Sequence, residues 1–301
     1  EFTLAEVRQW AREYRDKMLR PAGKRGLTVA VGNFKGGVSK TTTTMVLAQG
    51  LSLRGHKVLV IDSDPQGSLT TLFGRLPETE IEESQTLVPL FNGDVTDVRS
   101  AIQPTYWDGL DLIAAAPFLF SAEFSLPAMQ VRSPTSKFWD VLNAGLESVR
   151  DEYDVILIDT PPSLSYVTIN AFMAADGIIV PVPPSALDFA SSAQFWSLFS
   201  DLGVNLDRST EVPKTFSFLH VLLSRVDNSD VTAPAVRQWI QGTYGEYVLP
   251  VEIPKTTVTS STSAEFGTVY DVQRYEGSAK TYKRAIDAYD RLVELVEQSL
   301  V

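Results

Sequence analysis

The chain has 301 residues, 44% hydrophobic and 21% charged, enough for one large or two modest domains that bury a core without covalent staples. It holds no Cys, which excludes disulfides, thiolate metal centres and Cys nucleophiles, and fits a reducing compartment. A net charge of −11 and a pI near 4.7 oppose the overall basic signature of a nucleic-acid binder, so any DNA contact must come from a local, salt-sensitive patch.

Residues 3–19 carry a helix pattern. Thr3 and Glu6 form a capping box, and Leu4, Val7, Trp10, Ala11 and Tyr14 share one face. Arg8, Arg12, Arg15, Lys17, Arg20, Lys24 and Arg25 outnumber Glu1, Glu6, Glu13 and Asp16, and Pro21 and Gly23 then break the helix. Residues 1–26 are therefore expected to form a basic helix and linker ahead of a domain spanning 27–301. Two uses are open: a solvated helix or dimerisation arm, and the remnant of a DNA-binding domain. The first is favoured, because these residues hold no complete helix-turn-helix.

A strand-like run at 27–33 leads into Phe34-Lys35-Gly36-Gly37-Val38-Ser39-Lys40-Thr41-Thr42, which opens a helical pattern over 40–54. Strand, Gly-rich loop and helix in that order form the setting of a phosphate-binding loop. Gly36 and Gly37 let the backbone curl so that its N–H groups point at phosphate oxygens, including those of Val38 and Ser39. The following helix adds its positive end. Lys40 can bridge two phosphates, Thr41 can ligate Mg²⁺, and Thr42 falls near the α-phosphate. Phe34 and Ser39 stand where the standard loop has its two glycines, and a side chain at 39 can crowd the phosphates.

The next run, 57–62, ends in Asp62-Ser63-Asp64-Pro65-Gln66-Gly67, and residues two apart on a strand face the same way. Further strands are expected at 110–114, 155–159, 177–182, 216–223 and 246–251. Helices are expected at 136–151, 163–175, 190–202, 231–244 and 278–300, and the Ser/Thr-rich stretch 256–263 is a loop. The run at 155–159 delivers Asp159 to the carboxyl edge of the sheet, where it would hold Mg²⁺. This alternation implies an α/β fold, doubly wound around a mostly parallel sheet. His56 and His220 are far apart and read as neutral core or surface residues. Without a signal-peptide pattern or an apolar run long enough to span a bilayer, a cytoplasmic protein is expected.

Three motifs in this order resemble the ParA/MinD superfamily of P-loop NTPases with a deviant Walker A loop, over about residues 27–300. They are the loop from Lys35 to Thr42, the Asp62–Asp64 pair with its Pro-Gln-Gly turn, and the Asp159 strand. A lysine at the loop's start is the deviant signature, and Ser39 is similar to the larger plasmid-type ParA branch. The resemblance implies ATP and ADP with Mg²⁺ as ligands and a nucleotide sandwich homodimer in which Lys35 reaches the partner subunit's phosphates. It implies that Asp64 positions the attacking water and that Asp62 lies close to the metal shell. Glu252-Ile253-Pro254-Lys255, with Glu265-Phe266-Gly267 and Tyr270-Asp271, is similar to the family's C-terminal pattern, which puts Pro254 by the adenine. The turn Ser224-Arg225-Val226-Asp227 is the other candidate wall for the base. Lys255 takes the place of a family Arg implicated in DNA contact, and Arg274, Lys280, Lys283 and Arg284 are further candidate DNA cations whose bland reading is a solubilising face.

As a ParA-type partition ATPase, the chain would bind non-specific DNA as an ATP dimer, associate with the nucleoid, hydrolyse slowly alone, and be released by a ParB-like centromere-binding partner. Two rivals remain. A nucleotide-switched autorepressor would use residues 1–26 as part of its DNA-binding element. A MinD-like membrane-cycling ATPase would need a basic amphipathic tail, whereas this one ends with Glu294, Glu297 and Gln298. A nitrogenase-iron-protein-like reductase is excluded by the lack of Cys.

Overall fold

All seven apolar runs become strands of one sheet in the computed structural model, which describes residues 2–132, 136–207, 214–256, 258, 267–272, 275 and 277–300. The strands are β1 Leu27–Val31, β2 Val58–Asp62, β3 Gln103–Pro104, β4 Leu110–Ile113, β5 Val155–Asp159, β6 Gly177–Val182, β7 Phe218–Val226 and β8 Val248–Pro254. Their order is β3-β4-β2-β5-β1-β6-β7-β8, and every neighbouring pair is parallel except β3 with β4. β2, β5 and β6 are buried at every residue, so both faces are covered and the runs carry no polar alternation.

The helices are α1 Leu4–Tyr14, α2 Lys40–Leu53, α3 Ser68–Leu72, α4 Val88–Asn92, α5 Ala122–Arg132, α6 Val141–Leu146, α7 Tyr166–Ala174, α8 Ala186–Asp207, α9 Ala233–Tyr244 and α10 Ala279–Gln298. Alternate strand residues sort into opposite layers. Val58 and Val60 pack with Met45 and Leu47 of α2 and with Tyr289 and Leu292 of α10. Leu59 and Ile61 face the other way, toward Leu90, Leu126, Leu142 and Val167 of α4 to α7. On that second face, Phe172, Phe195 and Ile240 close over Ile178 and Val180. The chain is thus a doubly wound α/β protein.

Three expectations need correction. The helix expected over 136–151 is only α6; beyond it the chain runs in turns that let the buried Arg150 guanidinium bond Asn143 Oδ1 and the Ala174 carbonyl, both at 2.9 Å. α5 has no counterpart among the expected helices, and Pro127 sits inside it. The last two strands lie two to three residues further on than expected, at 218–226 and 248–254.

The amino-terminal helix turns a mixed face inward. Leu4, Val7 and Ala11 of the expected apolar face are partly buried, Leu4 against the core, while Trp10 and Tyr14 are exposed and Arg8 and Arg15 share the inward side. Arg8 donates to the carbonyls of Ser52 and His56 at 3.0 and 3.1 Å, Arg12 to that of Gly55 at 2.5 Å, and Arg15 to that of Arg54 at 3.0 Å. Ser52 lies in the last turn of α2 and Arg54 caps it, where the helix dipole favours cations, and Gly55 and His56 belong to the turn that follows. Arg8 also pairs with Asp108, and Arg12 and Arg20 share Asp154.

The same corner buries Glu297 of α10 beside Arg15 at 2.7 Å, His56 at 2.9 Å and Arg54 at 3.0 Å, so His56 is a core histidine bonded to a carboxylate. Burial alone would raise the Glu297 pKa, but hydrogen bonds from His56 and Arg15 outweigh it and hold the carboxyl at about 2 against an ordinary 4.5. A depressed acid stabilises the fold above its unfolded pKa and loses that contribution as pH falls, here between about 4.5 and about 2. Glu297→Gln is therefore expected to cost about 3 kcal/mol of unfolding free energy at pH 7 and almost nothing at pH 2. Urea unfolding at both pH values measures this, and an equal gap at both would assign the loss to packing instead.

Candidate phosphate-binding site

Register brings the three motifs level. Val31 of β1 and Asp62 of β2 both pair with Asp159 of β5, so the residues that leave the sheet do so at one carboxyl edge. Asn33 sets the exit of the loop: its Nδ2 donates to the Pro181 carbonyl at 2.9 Å and its Oδ1 accepts from the Lys35 N–H at 3.1 Å. Phe34, in the place of a glycine, anchors the loop by packing its ring 4.7 Å from that of Phe195.

Two loop residues take left-handed backbone, Gly37 and Ser39, each with φ of +75°. Glycine adopts that region freely, whereas a side chain there costs roughly 1–2 kcal/mol. The departure at Ser39 therefore strains the backbone, which differs from the expected crowding of a ligand. Lys40 begins α2 and is 7% exposed, with Nζ donating to the Lys35 carbonyl at 3.0 Å. Burial pulls its pKa down, while Asp159 and Asp64 push it up.

The Thr41 hydroxyl donates to Asp159 Oδ2 at 2.7 Å and the Thr44 hydroxyl to Oδ1 at 3.2 Å. Burial, reinforced by the neighbouring Asp62 charge, raises Asp159 to about 8. Burial likewise raises Asp62 to about 7 against opposing hydrogen bonds from Thr70. Asp64 and Asp159 thus both act on one lysine, with Asp62 adding its charge beside Asp159, an arrangement that a divalent cation relieves. Among the described residues no three His, Asp or Glu side chains converge as a metal cage. The donor set is the Thr41 hydroxyl, which lines an open cleft, with the buried Asp159 carboxylate directly behind it, and this fits Mg²⁺, a hard ion that takes few protein oxygens and reaches others through its waters.

That cleft has a volume of about 720 Å³, within the usual range for a small-molecule site. Gly36, Gly37, Ser39, Lys40, Thr41, Thr42 and Asp64 line its phosphate side, and Arg225, Asp227, Pro254, Lys255 and Tyr289 the other. Val38 contributes only backbone, its side chain being 1% exposed. Asp62 does not line the cleft. Its Oδ2 accepts from the Thr70 N–H and hydroxyl, both at 2.8 Å, and its Oδ1 from the Asp64 N–H at 3.1 Å. The strand ends at Asp62, so the two-residue period does not reach Asp64: one carboxylate braces α3 and the other faces the cleft. Asp62 stands beside Asp159 in the β2–β5 register, and its nearness to the metal shell rests on the resemblance alone.

Lys35 points away from the phosphate side and pairs with Asp188 of α8 at 2.5 Å, in an adjoining depression. Lys255, at the cleft mouth, pairs with Asp227 at 3.3 Å, and hydrogen bonds from Ser229 and then Lys255 hold Asp227 at about 2. Lys280, Lys283 and Arg284 are exposed on the first turns of α10, while Arg274 and residues 259–266 lie outside the described residues. Sequence reasoning missed Thr44 and Asp188. Thr44 was within reach, since three residues after Thr41 is the same helix face. Nothing local marks Asp188.

The model of the AAA-domain family matches residues 26–211. A Rhizobium rhizogenes protein named replication protein A is 33% identical over 282 residues, spanning 92% of this chain and 70% of its own length. The chromosome-partitioning ATPase Soj of Thermus thermophilus is 31% identical over 228 residues, 75% of this chain and 80% of its own. Among solved structures, the Mycobacterium smegmatis cobyrinic acid a,c-diamide synthase with bound ATP analog and magnesium superposes with a TM-score of 0.70 at 27% identity, covering 90% of this chain and 94% of that one.

Proposed function

This chain belongs to the ParA family of partition ATPases, within the AAA-domain families of P-loop NTPases, and on that premise we propose that it is an ATP-dependent DNA-partition ATPase. The observation that carries the reading is the joining of the loop to the Asp159 strand: Thr41, which lines the cleft with Lys40, donates its hydroxyl to the buried Asp159 carboxylate at 2.7 Å. In this reading, loop amides and Lys40 neutralise the β- and γ-phosphates, and Thr41 and Asp159 would hold Mg²⁺, which would supply further positive charge at the phosphoryl oxygens. Asp64 orients the water that attacks the γ-phosphorus as ADP leaves. Pro254 and the backbone of the Arg225–Asp227 turn wall the base.

Lys35, parked on Asp188 in the single chain, turns to the partner subunit's phosphates when two copies enclose nucleotide, and ADP release separates them. The dimer holds DNA without sequence preference through Lys255, Arg274, Lys280, Lys283 and Arg284. A ParB-like partner speeds hydrolysis and frees the protein, which works in the cytoplasm on the nucleoid. A membrane-cycling role draws no support: the apolar residues Tyr289, Leu292, Val293 and Val296 of α10 lie in the core, and no helix among the described residues is long and apolar enough to cross a membrane. The autorepressor reading is not favoured either, since Arg8, Arg12 and Arg15 face the body of the protein.

Sedimentation with random-sequence DNA tests the reading. With MgATP the protein should become dimeric and bind DNA, and binding should fall steeply between about 50 and 200 mM salt, as phosphate contacts do. Equal binding with ADP, or binding confined to one operator sequence, would favour the repressor.

A further inference from the structure

Two neighbouring residues of β7 grip two successive carbonyls of the phosphate loop. Ser224, fully buried, donates its hydroxyl to the Val38 carbonyl at 2.9 Å, and Arg225 donates Nη1 to the Gly37 carbonyl at 2.5 Å. Consecutive strand residues point to opposite faces, so neighbours reach one loop only where the backbone turns. It turns here: Arg225 has φ of +51°, and the pairing of β7 with β8 slips between Leu223 and Val226. A long side chain held in left-handed backbone is uncommon and marks a position that its surroundings fix.

The geometry has a direct electrostatic effect. In a trans peptide unit the C=O and N–H point opposite ways. Holding the carbonyls of Gly37 and Val38 toward β7 therefore aims the N–H groups of Val38 and Ser39 to the other side, the inside of the curl. Ser39 in left-handed backbone works against this arrangement, because an ordinary side chain at that position favours other conformations.

We propose that Ser224 and Arg225 form a clamp that presets the phosphate loop against the strain at Ser39, with Arg225 acting as a positioning residue and not as a reader of the base. The proposal rests on the nucleotide reading above. By the clamp, affinity for anything carrying the β-phosphate depends on Arg225, while the choice between bases does not.

The test is calorimetry of ADP and of GDP, each with Mg²⁺, on the full chain. Arg225→Gly keeps the left-handed backbone and removes the guanidinium. It is expected to weaken ADP about tenfold, the effect of one charge-assisted hydrogen bond, with the ADP-to-GDP preference and the ligand-free melting temperature unchanged. Ser224→Ala, a smaller deletion, is expected to weaken ADP about threefold. Adding Ser39→Gly to Arg225→Gly should restore most of the lost affinity, which a merely structural role for Arg225 does not predict. ADP affinity within about twofold of wild type in Arg225→Gly, a changed base preference, or no rescue by Ser39→Gly would each overturn the clamp. A wild-type protein that takes up no ADP would instead defeat the nucleotide reading.

Discussion

Lys40→Ala is expected to lower affinity for MgATP and MgADP by about a hundredfold or more, equivalent to about 3 kcal/mol. Lys40 is nearly buried at the start of α2, and its ammonium is the cation that faces both Asp159 and Asp64. Its removal leaves two carboxylates beside an incoming polyphosphate, so a charge-assisted hydrogen bond is lost and a repulsion is added. The side chain spans only the loop, contacting the Lys35 carbonyl, so the core layers should keep their packing and the melting temperature without ligand should fall little. Calorimetry settles the matter: binding within a few-fold of wild type would remove the phosphate cradle from the account.

The second large effect is on the chemical step. Asp64→Ala is expected to bind MgATP nearly as wild type does and to hydrolyse it about a hundredfold more slowly or worse, the usual range for loss of a group that positions a reacting water. Asp64 faces the cleft with one oxygen occupied by the Gln66 N–H at 3.0 Å, leaving the other open to the cleft. Thr41 and Asp159 remain to hold the cation, which is why binding should survive. Single-turnover hydrolysis separates the two steps, and normal turnover would withdraw the role of Asp64. Asp62 should behave differently. Bonded to Thr70 and buried, it belongs to the brace of α3, so its loss should appear first in thermal stability.

Most of the sheet was legible because burial on both faces leaves an unbroken apolar run, as in Val155–Asp159 and Gly177–Val182, whose bounds the sequence marks without error. The loop was legible because glycines, lysines and a threonine at fixed spacing have one efficient physical use. What escaped was set by contacts distant in sequence. Nothing near Asp62 says that Thr70 will occupy its carboxylate, and nothing near Lys35 announces Asp188, 153 positions away. α5 escaped as well, and Pro127 sits inside it, where tertiary packing of Ala122 and Leu126 overrides a local breaker. The amino-terminal segment misled for a related reason: seven basic residues between positions 8 and 25 suggest a solvent face until the carbonyls of residues 52–56 are seen beside three of them.

That last contact sets what α2 joins. It is a rod of 14 residues, about 21 Å long, whose amino end opens the phosphate loop and whose far end, with the turn that follows, is held by Arg8, Arg12 and Arg15 of the amino-terminal segment. A single unbroken element therefore separates the cleft from the exposed rings of Phe2, Trp10 and Tyr14.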